Sequence, residues 1–211
     1  MILAAERLFA ERGISGVSLR EVGAAAGQRN NSAAQYHFGS KAGLVDAIFE
    51  YRMRPINERR LALLAELDRA DRGDDLRALV EAFVEPFAEE VGRGTSHYAR
   101  FVAQVVSDPD LATFSALDRD TMAGLRAVIE RIAAVLADLP AAIRNERLAL
   151  AGTLLVHALA DRERVPRARR PAATPAPVLV ADLVDTIVGV LRAPVSPDTA
   201  RELRAAQQLG A

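Results

Sequence analysis

No cysteine occurs among the 211 residues, so the fold has neither disulfides nor thiolate metal centres to draw on. Long apolar runs are missing too. The longest notable uncharged stretch of the C-terminal half, Leu148 to Ala160, spans 13 residues, short of the roughly 20 that a helix needs to cross a bilayer. The opening MILAAERLFAERG carries Glu6 and Arg7 and too short an apolar run for a secretory signal. A soluble cytoplasmic chain with no membrane partner is expected. Catalytic motifs are also lacking. His37, His97 and His157 are scattered at sixty-residue intervals without an HExxH pattern. Gly92-x-Gly94 lacks the rest of a dinucleotide fingerprint, no GxxxxGK(S/T) loop occurs, and no nucleophile motif is found. The expectation is a protein that is not an enzyme, with no metal and no cofactor. An overall excess of one charge is absent as well. The net charge of −1 argues against a bulk polyanion binder.

Half the residues are hydrophobic, enough for a substantial core. β-branched runs are short and apolar spacing is helical almost throughout, so the fold class is all-α, with about nine helices. The first helix covers about residues 2–12, with Ala5, Leu8 and Phe9 on one face. Another starts after the cap Ser40 and buries Leu44, Val45, Ile48 and Phe49; Pro55 should kink or break it. Leu76, Leu79, Val80, Phe83 and Phe87 recur at i, i+3, i+4 and i+7 in a helix from about Asp74 to Val91. Further helices are expected near Ser96–Ser107, in the stretch up to Asp138, from Pro140 to about Arg164, and from Val178 to Leu191. The segment VPRARRPAATPAP reads as an exposed linker, and the tail after Pro194 as frayed. Residues 1–60 hold nine Lys/Arg against six Asp/Glu, the remainder eighteen against twenty-two. The modest positive balance therefore lies at the N-terminal end.

That end also carries the most informative segment, VSLREVGAAAGQRNNSAAQYHFGSK, from Val17 to Lys41. Ser18 and Glu21 have the spacing of a capping box, and Val17 and Val22 that of a hydrophobic staple. Gly27 suits a helix end in the left-handed conformation. The following Asn30 to His37 is small, polar and nearly uncharged. A helix with so little to bury has amides to present, and a helix-turn-helix whose second helix enters a DNA major groove is the economical reading.

Asn30, Asn31 and Gln35 carry amides that can bond an adenine edge at N6 and N7; Asn30 and Asn31 can equally cap the helix and shape the turn. Ser32 can cap or touch a phosphate. Arg29 can reach guanine or backbone, or stay a solvated surface side chain. Phe38 is expected in the core. Lys41 is the only lysine, against 26 arginines, and sits in the first turn of a helix. A cation there opposes the helix dipole at a cost of a few tenths of a kcal/mol, and a DNA phosphate at the same helix end would reverse that sign.

AAERLFAERGISGVSLREVGAAAG and YHFGSK resemble the TetR family of one-component bacterial regulators over residues 2–50. The segment between Gly27 and Phe38 is one residue longer than the common form, Gln35 stands where a tyrosine is usual, and no basic arm precedes the first helix in this sequence. The resemblance implies a DNA-binding domain at 1–50 and a helical effector-binding and dimerisation domain at 51–211. It implies a phosphate contact for Lys41, and for Tyr36 and His37 unless one of these packs in the core. It also implies a homodimer on a palindromic double-stranded DNA operator, built largely from the last two long helices, acting as a ligand-responsive repressor.

Ligand-pocket candidates are Phe83, Phe87, His97, Tyr98, Phe101, Gln104, Met122, Arg126 and Thr153, although aromatics at helical spacing are also ordinary core. Their mixed character suits a small-molecule effector of lipophilic or acyl type. Leu148, Gly152, Leu155 and Leu159, with Leu183, Ile187 and Val190, suit a dimer interface or close packing within one chain. His157 fits that interface, the pocket, or a satisfied core position. The rival to a regulator is a helical protein-interaction module that binds no DNA.

Overall fold

The computed structural model describes residues 1–30, 32–93, 96–108, 121–164 and 174–209, and its regular structure is all helical. A compact head is made by α1 (Ile2–Arg12), α2 (Leu19–Ala25), α3 (Ala33–Phe38) and the first turns of α4 (Lys41–Arg69). The body holds the rest of α4 together with α5 (Leu76–Gly92), α6 (Tyr98–Ser107), α7 (Ala123–Val135), α8 (Ala141–Arg164) and α9 (Ala176–Arg192). α4 has 29 residues, about 43 Å of helix at 1.5 Å per residue, and is the spine common to both parts.

The periodic stripes define what each helix buries. Ala5, Leu8 and Phe9 of α1 pack against Leu44, Val45, Ile48 and Phe49 of α4, and this core continues into the body as one cluster. α5 lies at the centre of the body, against α4, α7, α8 and α9. Ala82 and Val84 are therefore buried in addition to the expected stripe. α6 lies between α1 and α8, so the head rests directly on the body.

Of the two outcomes expected at Pro55, a kink or a break, the break does not occur, since α4 runs through it. An internal proline costs about 3 kcal/mol, while burying Met53 and Ile56 on either side returns about 1.5–3 kcal/mol each. The tail is not frayed either: α10 (Pro197–Leu209) is a tenth helix among the described residues. Ser196 Oγ accepts from the Thr199 N–H at 3.2 Å, and a proline at the first helical position is preorganised for a start. Asn31, residues 109–120 and most of the proline-rich stretch (165–173) lie outside the described residues.

Candidate nucleic-acid interface

The turn that presents α3 is built from short-range bonds. Ser18 Oγ accepts from the Glu21 N–H at 3.2 Å while Glu21 Oε2 accepts from the Ser18 N–H at 2.8 Å, a complete capping box. Arg12 Nη2 donates to Glu21 Oε1 at 2.8 Å and to the Gly16 carbonyl at 2.9 Å, tying the end of α1 to the start of α2. The hydrogen bonds from Ser18, with that from Arg12, hold the Glu21 carboxyl down to about 2. Val17 and Val22 are buried as the staple requires. Gly27 takes φ +71 beyond the end of α2, a conformation that costs other residues strain.

α3 is shorter than expected, six residues, because Asn30 and Ser32 remain in the turn before it. The Asn30 side-chain oxygen accepts from the Ser32 N–H at 2.9 Å, so the turn-shaping role is the one it fills in this structure. Ala33 and Ala34 face inward, and their small side chains let the helix lie close against the head. Gln35, Tyr36 and His37 face outward, as do Arg29, Asn30 and Ser32. Tyr36 is 85% exposed and lies edge-on to His37 at 5.5 Å between ring centroids. Neither ring packs in the core. Phe38 is half-buried against it. The Gln35 amide nitrogen donates back to the Gly39 carbonyl at the end of its own helix.

Beside this face stands the N-terminus of α4. Ser40 Oγ accepts from the Gly43 N–H at 3.0 Å. A Cβ at position 43 would lie 2.3 Å from the Phe38 carbonyl oxygen, so the close approach of α3 to α4 depends on glycine there. Lys41 does not project free: its Nζ donates to the Ser15 carbonyl at 3.1 Å. This bond ties the first turn of α4 to the α1–α2 loop.

The head is joined to the body by a buried ionic node that sequence reasoning missed. Arg52 of α4 donates through Nε and Nη2 to both oxygens of Glu6 on α1, at 2.6 and 2.9 Å. Its Nη1 donates to Glu90 of α5 at 2.7 Å, and Glu6 also accepts from the His97 N–H at 3.0 Å. Burial alone would lower the pKa of the Arg52 guanidinium; Glu6 and Glu90 more than offset it and hold it above its ordinary value. The usable signal was charge inside apolar stripes. Glu6 falls among Ala5 and Phe9, and Arg52 and Arg60 among Phe49, Met53, Ile56 and Leu64.

The nine pocket candidates are not brought to one place. Phe87, Tyr98 and Phe101 join Phe9 and Phe49 in an aromatic cluster where the head meets the body, with centroid separations from 5.2 to 6.2 Å. Phe83 is buried in the body outside that cluster. It borders a void of about 10 Å³ with Ile129, Leu148 and Ile187, about the room one water needs. His97 is half-buried at the start of α6, and burial pushes its pKa down. Met122 is partly buried at the start of α7. Gln104 lies at the surface beside Gly13. Arg126 is exposed, and so is Thr153, whose hydroxyl donates to Ala149 on its own helix. In the dimer set, Leu155, Leu159, Leu183 and Ile187 are buried within the chain, while Leu148, Gly152 and Val190 are half-buried. The outward side of α8 and α9 instead carries Leu150, Thr153, His157, Val178 and Gly189.

A helix-turn-helix head joined through one long helix to a larger helical body defines a DNA-binding transcriptional regulator. Residues 2–48 match the bacterial regulatory proteins of the tetR family, and residues 81–190 match the tetracyclin repressor-like C-terminal domain. The chain belongs to the TetR family, whose members are non-enzymatic DNA-binding regulators. Among solved structures, it is similar to the TetR family transcriptional regulator PfmR from Thermus thermophilus. The TM-score is 0.51 with 22% identity, over 90% of this chain and 97% of that one. A HlyIIR variant with one segment replaced by a linker carrying two thrombin sites aligns at a TM-score of 0.48 and 17% identity, over 92% and 95% of the two chains. No curated protein matches in sequence. Among the described residues, no helix is long and apolar enough to cross a membrane.

Proposed function

We propose that the protein is a homodimeric, ligand-responsive repressor of a palindromic operator, with residues 1–50 as the DNA-reading domain and 51–211 as the effector-binding and dimerisation domain. The observation that carries this reading is the common outward surface formed by α3 and the Lys41 end of α4. Gln35 and Asn30 carry amides that can bond a base edge on exchanging their own backbone partners, the Gly39 carbonyl and the Ser32 N–H, for it. Tyr36, His37, Ser32 and Arg29 flank them toward the phosphates, and Lys41 with the capped helix end supplies a positive rim. Asn31 belongs to the same stretch. Dimerisation through the outward faces of α8 and α9 sets two such heads in successive major grooves, about 34–36 Å apart. A small molecule that binds the body better in a conformation with misplaced heads releases the operator, which needs only a few kcal/mol of differential affinity.

The test is a salt titration of binding to a genomic fragment pool with scrambled competitor. Selection of a palindrome by a dimer is the expected result, and Lys41→Ala should weaken binding to all sequences and lower the salt slope by about one. No binding to any fragment at low salt would remove this reading and favour an interaction module.

A further inference from the structure

Among the described residues, the body contains a buried cation with no counter-ion. Arg60 of α4 is 2% exposed. Its Nη2 donates to the Phe83 carbonyl at 3.1 Å, and its guanidinium carbon lies 5.7 Å from the centre of the Phe83 ring. Its Nε and Nη1 have no acceptor. The Tyr98 phenol, fully buried on α6, has no hydrogen-bond partner either, and it is close enough to feel the Arg60 charge. Burial pushes the Arg60 pKa down to about 10, with only Tyr98 opposing, so the group is still a cation at neutral pH. Buried guanidinium and phenol groups without partners are costly and are ordinarily satisfied. Unspent donors on α4 and α6, buried against one hydrophobic core, define a place for an acceptor.

We propose that Arg60 and Tyr98 receive the carboxylate of an amphiphilic organic acid, whose apolar part lies along Phe83. The charge count favours a monoanion. One negative charge neutralises Arg60. A dianion such as a phosphate monoester would leave one charge uncompensated, because Glu6 and Glu90 are already balanced by Arg52 and Arg93. Carboxylate oxygens accept from the Arg60 N–H groups and from the phenol hydroxyl. Phe83 connects Arg60 to the small void bordered by Ile129, Leu148 and Ile187. That void is far below ligand size, so α5 and its neighbours must part to admit the tail. Tyr98 also stacks with Phe101, which stacks with Phe9 of α1, so a ligand there is two rings away from the head.

This inference rests on the reading of residues 51–211 as an effector-binding body, and the test separates the two. The full-length chain without DNA is titrated with octanoate, decanoate and 4-phenylbutyrate, each beside its matching primary alcohol, with thermal unfolding and calorimetry as readouts. At least one acid should bind, with its alcohol at least about tenfold weaker. Arg60→Met should weaken the acid by about a hundredfold, and Tyr98→Phe by about tenfold, in keeping with the loss of an ion pair and of one hydrogen bond to a charged acceptor. The proposal is overturned if none of the acids binds, if acid and alcohol bind equally, or if Tyr98→Phe and Arg60→Met bind as the parent does. Should Arg60→Met fail to fold, Tyr98→Phe and the alcohol series still decide. Operator selection is run on the same preparations. Selection without acid binding removes this inference alone, and acid binding without selection removes the regulator reading alone.

Discussion

Arg52 and Arg60 lie two turns apart on α4 and are almost equally buried, yet their surroundings are opposite. Arg52 has two carboxylates, donates to both oxygens of one of them, and joins α1, α4 and α5. Arg60 has a backbone carbonyl, an aromatic face and two nitrogens with nothing to bond among the described residues. Burial therefore says little about what an arginine is for; its partners do. A guanidinium whose donors are spent on Glu6 and Glu90 is a structural tie between head and body. One whose donors are unspent is a receptor for an acceptor that comes from outside.

The sharpest way to break this contrast is to remove each arginine in turn. Arg52→Met leaves Glu6 buried beside no cation and Glu90 with only the exposed Arg93, and should cost about 3–5 kcal/mol. In a chain of this size the melting temperature would fall on the order of 10 °C. A change below about 2 °C in thermal unfolding, less than 1 kcal/mol on the same scale, would show that the node contributes no net stability. Arg60→Met removes a buried charge that nothing neutralises, while the Phe83 carbonyl keeps its place inside α5. Without ligand, this variant should be slightly more stable than the parent, by about 1–2 kcal/mol. Loss of stability comparable to Arg52→Met would mean that Arg60 is satisfied in solution and that the two sites are alike.

A third ion pair extends the comparison to the surface. Arg12 and Glu21 meet at 2.8 Å with both side chains nearly half exposed. Here solvent screens the charges, and such pairs contribute little. The effect to measure is the pH dependence. The Glu21 carboxyl titrates at about 2 in the folded chain against an ordinary 4.5. Its contribution is therefore present above pH 4.5 and is lost as the pH falls from 4.5 toward 2. Glu21→Gln should flatten that part of the stability profile and leave the neutral range nearly unchanged. An unaltered acid limb, in melts run from neutral pH down through the ordinary carboxylate range, would remove the capping box from the acid-sensitive contacts.

How much of this is legible in the sequence depends on the distance over which each contact closes. Ser18 and Glu21 are three residues apart, and the staple of Val17 and Val22 five, so their geometry follows from helix dimensions alone. The small inward residues of α3 and the cap at Ser40 are local in the same sense. At Pro55 the local rule fails, because the backbone cost loses to the burial of Met53 and Ile56. In the tail, Ser196 and Pro197 are ordinary helix-start signals, and the expectation of fraying gave them no weight. On α8 and α9 the periodic stripe is a packing surface as expected, but Leu155, Leu159, Leu183 and Ile187 pack inside one chain. Periodicity identifies an apolar face and carries no label for what covers it.

By itself, then, the sequence determined the helical class, the order of the helices, the helix-turn-helix and the outward polar face of α3, because each depends on hydrogen bonds and side-chain periods spanning a few residues. Tertiary structure alone decided which charges meet. Glu6 reaches Arg52 across 46 residues and Arg52 reaches Glu90 across 38. No propensity or spacing rule encodes such closures; they follow from how α1, α4, α5 and α6 pack around a shared core. That packing spends the donors of Arg52 on Glu6 and Glu90, and leaves Nε and Nη1 of Arg60 facing an interior whose described residues offer no acceptor.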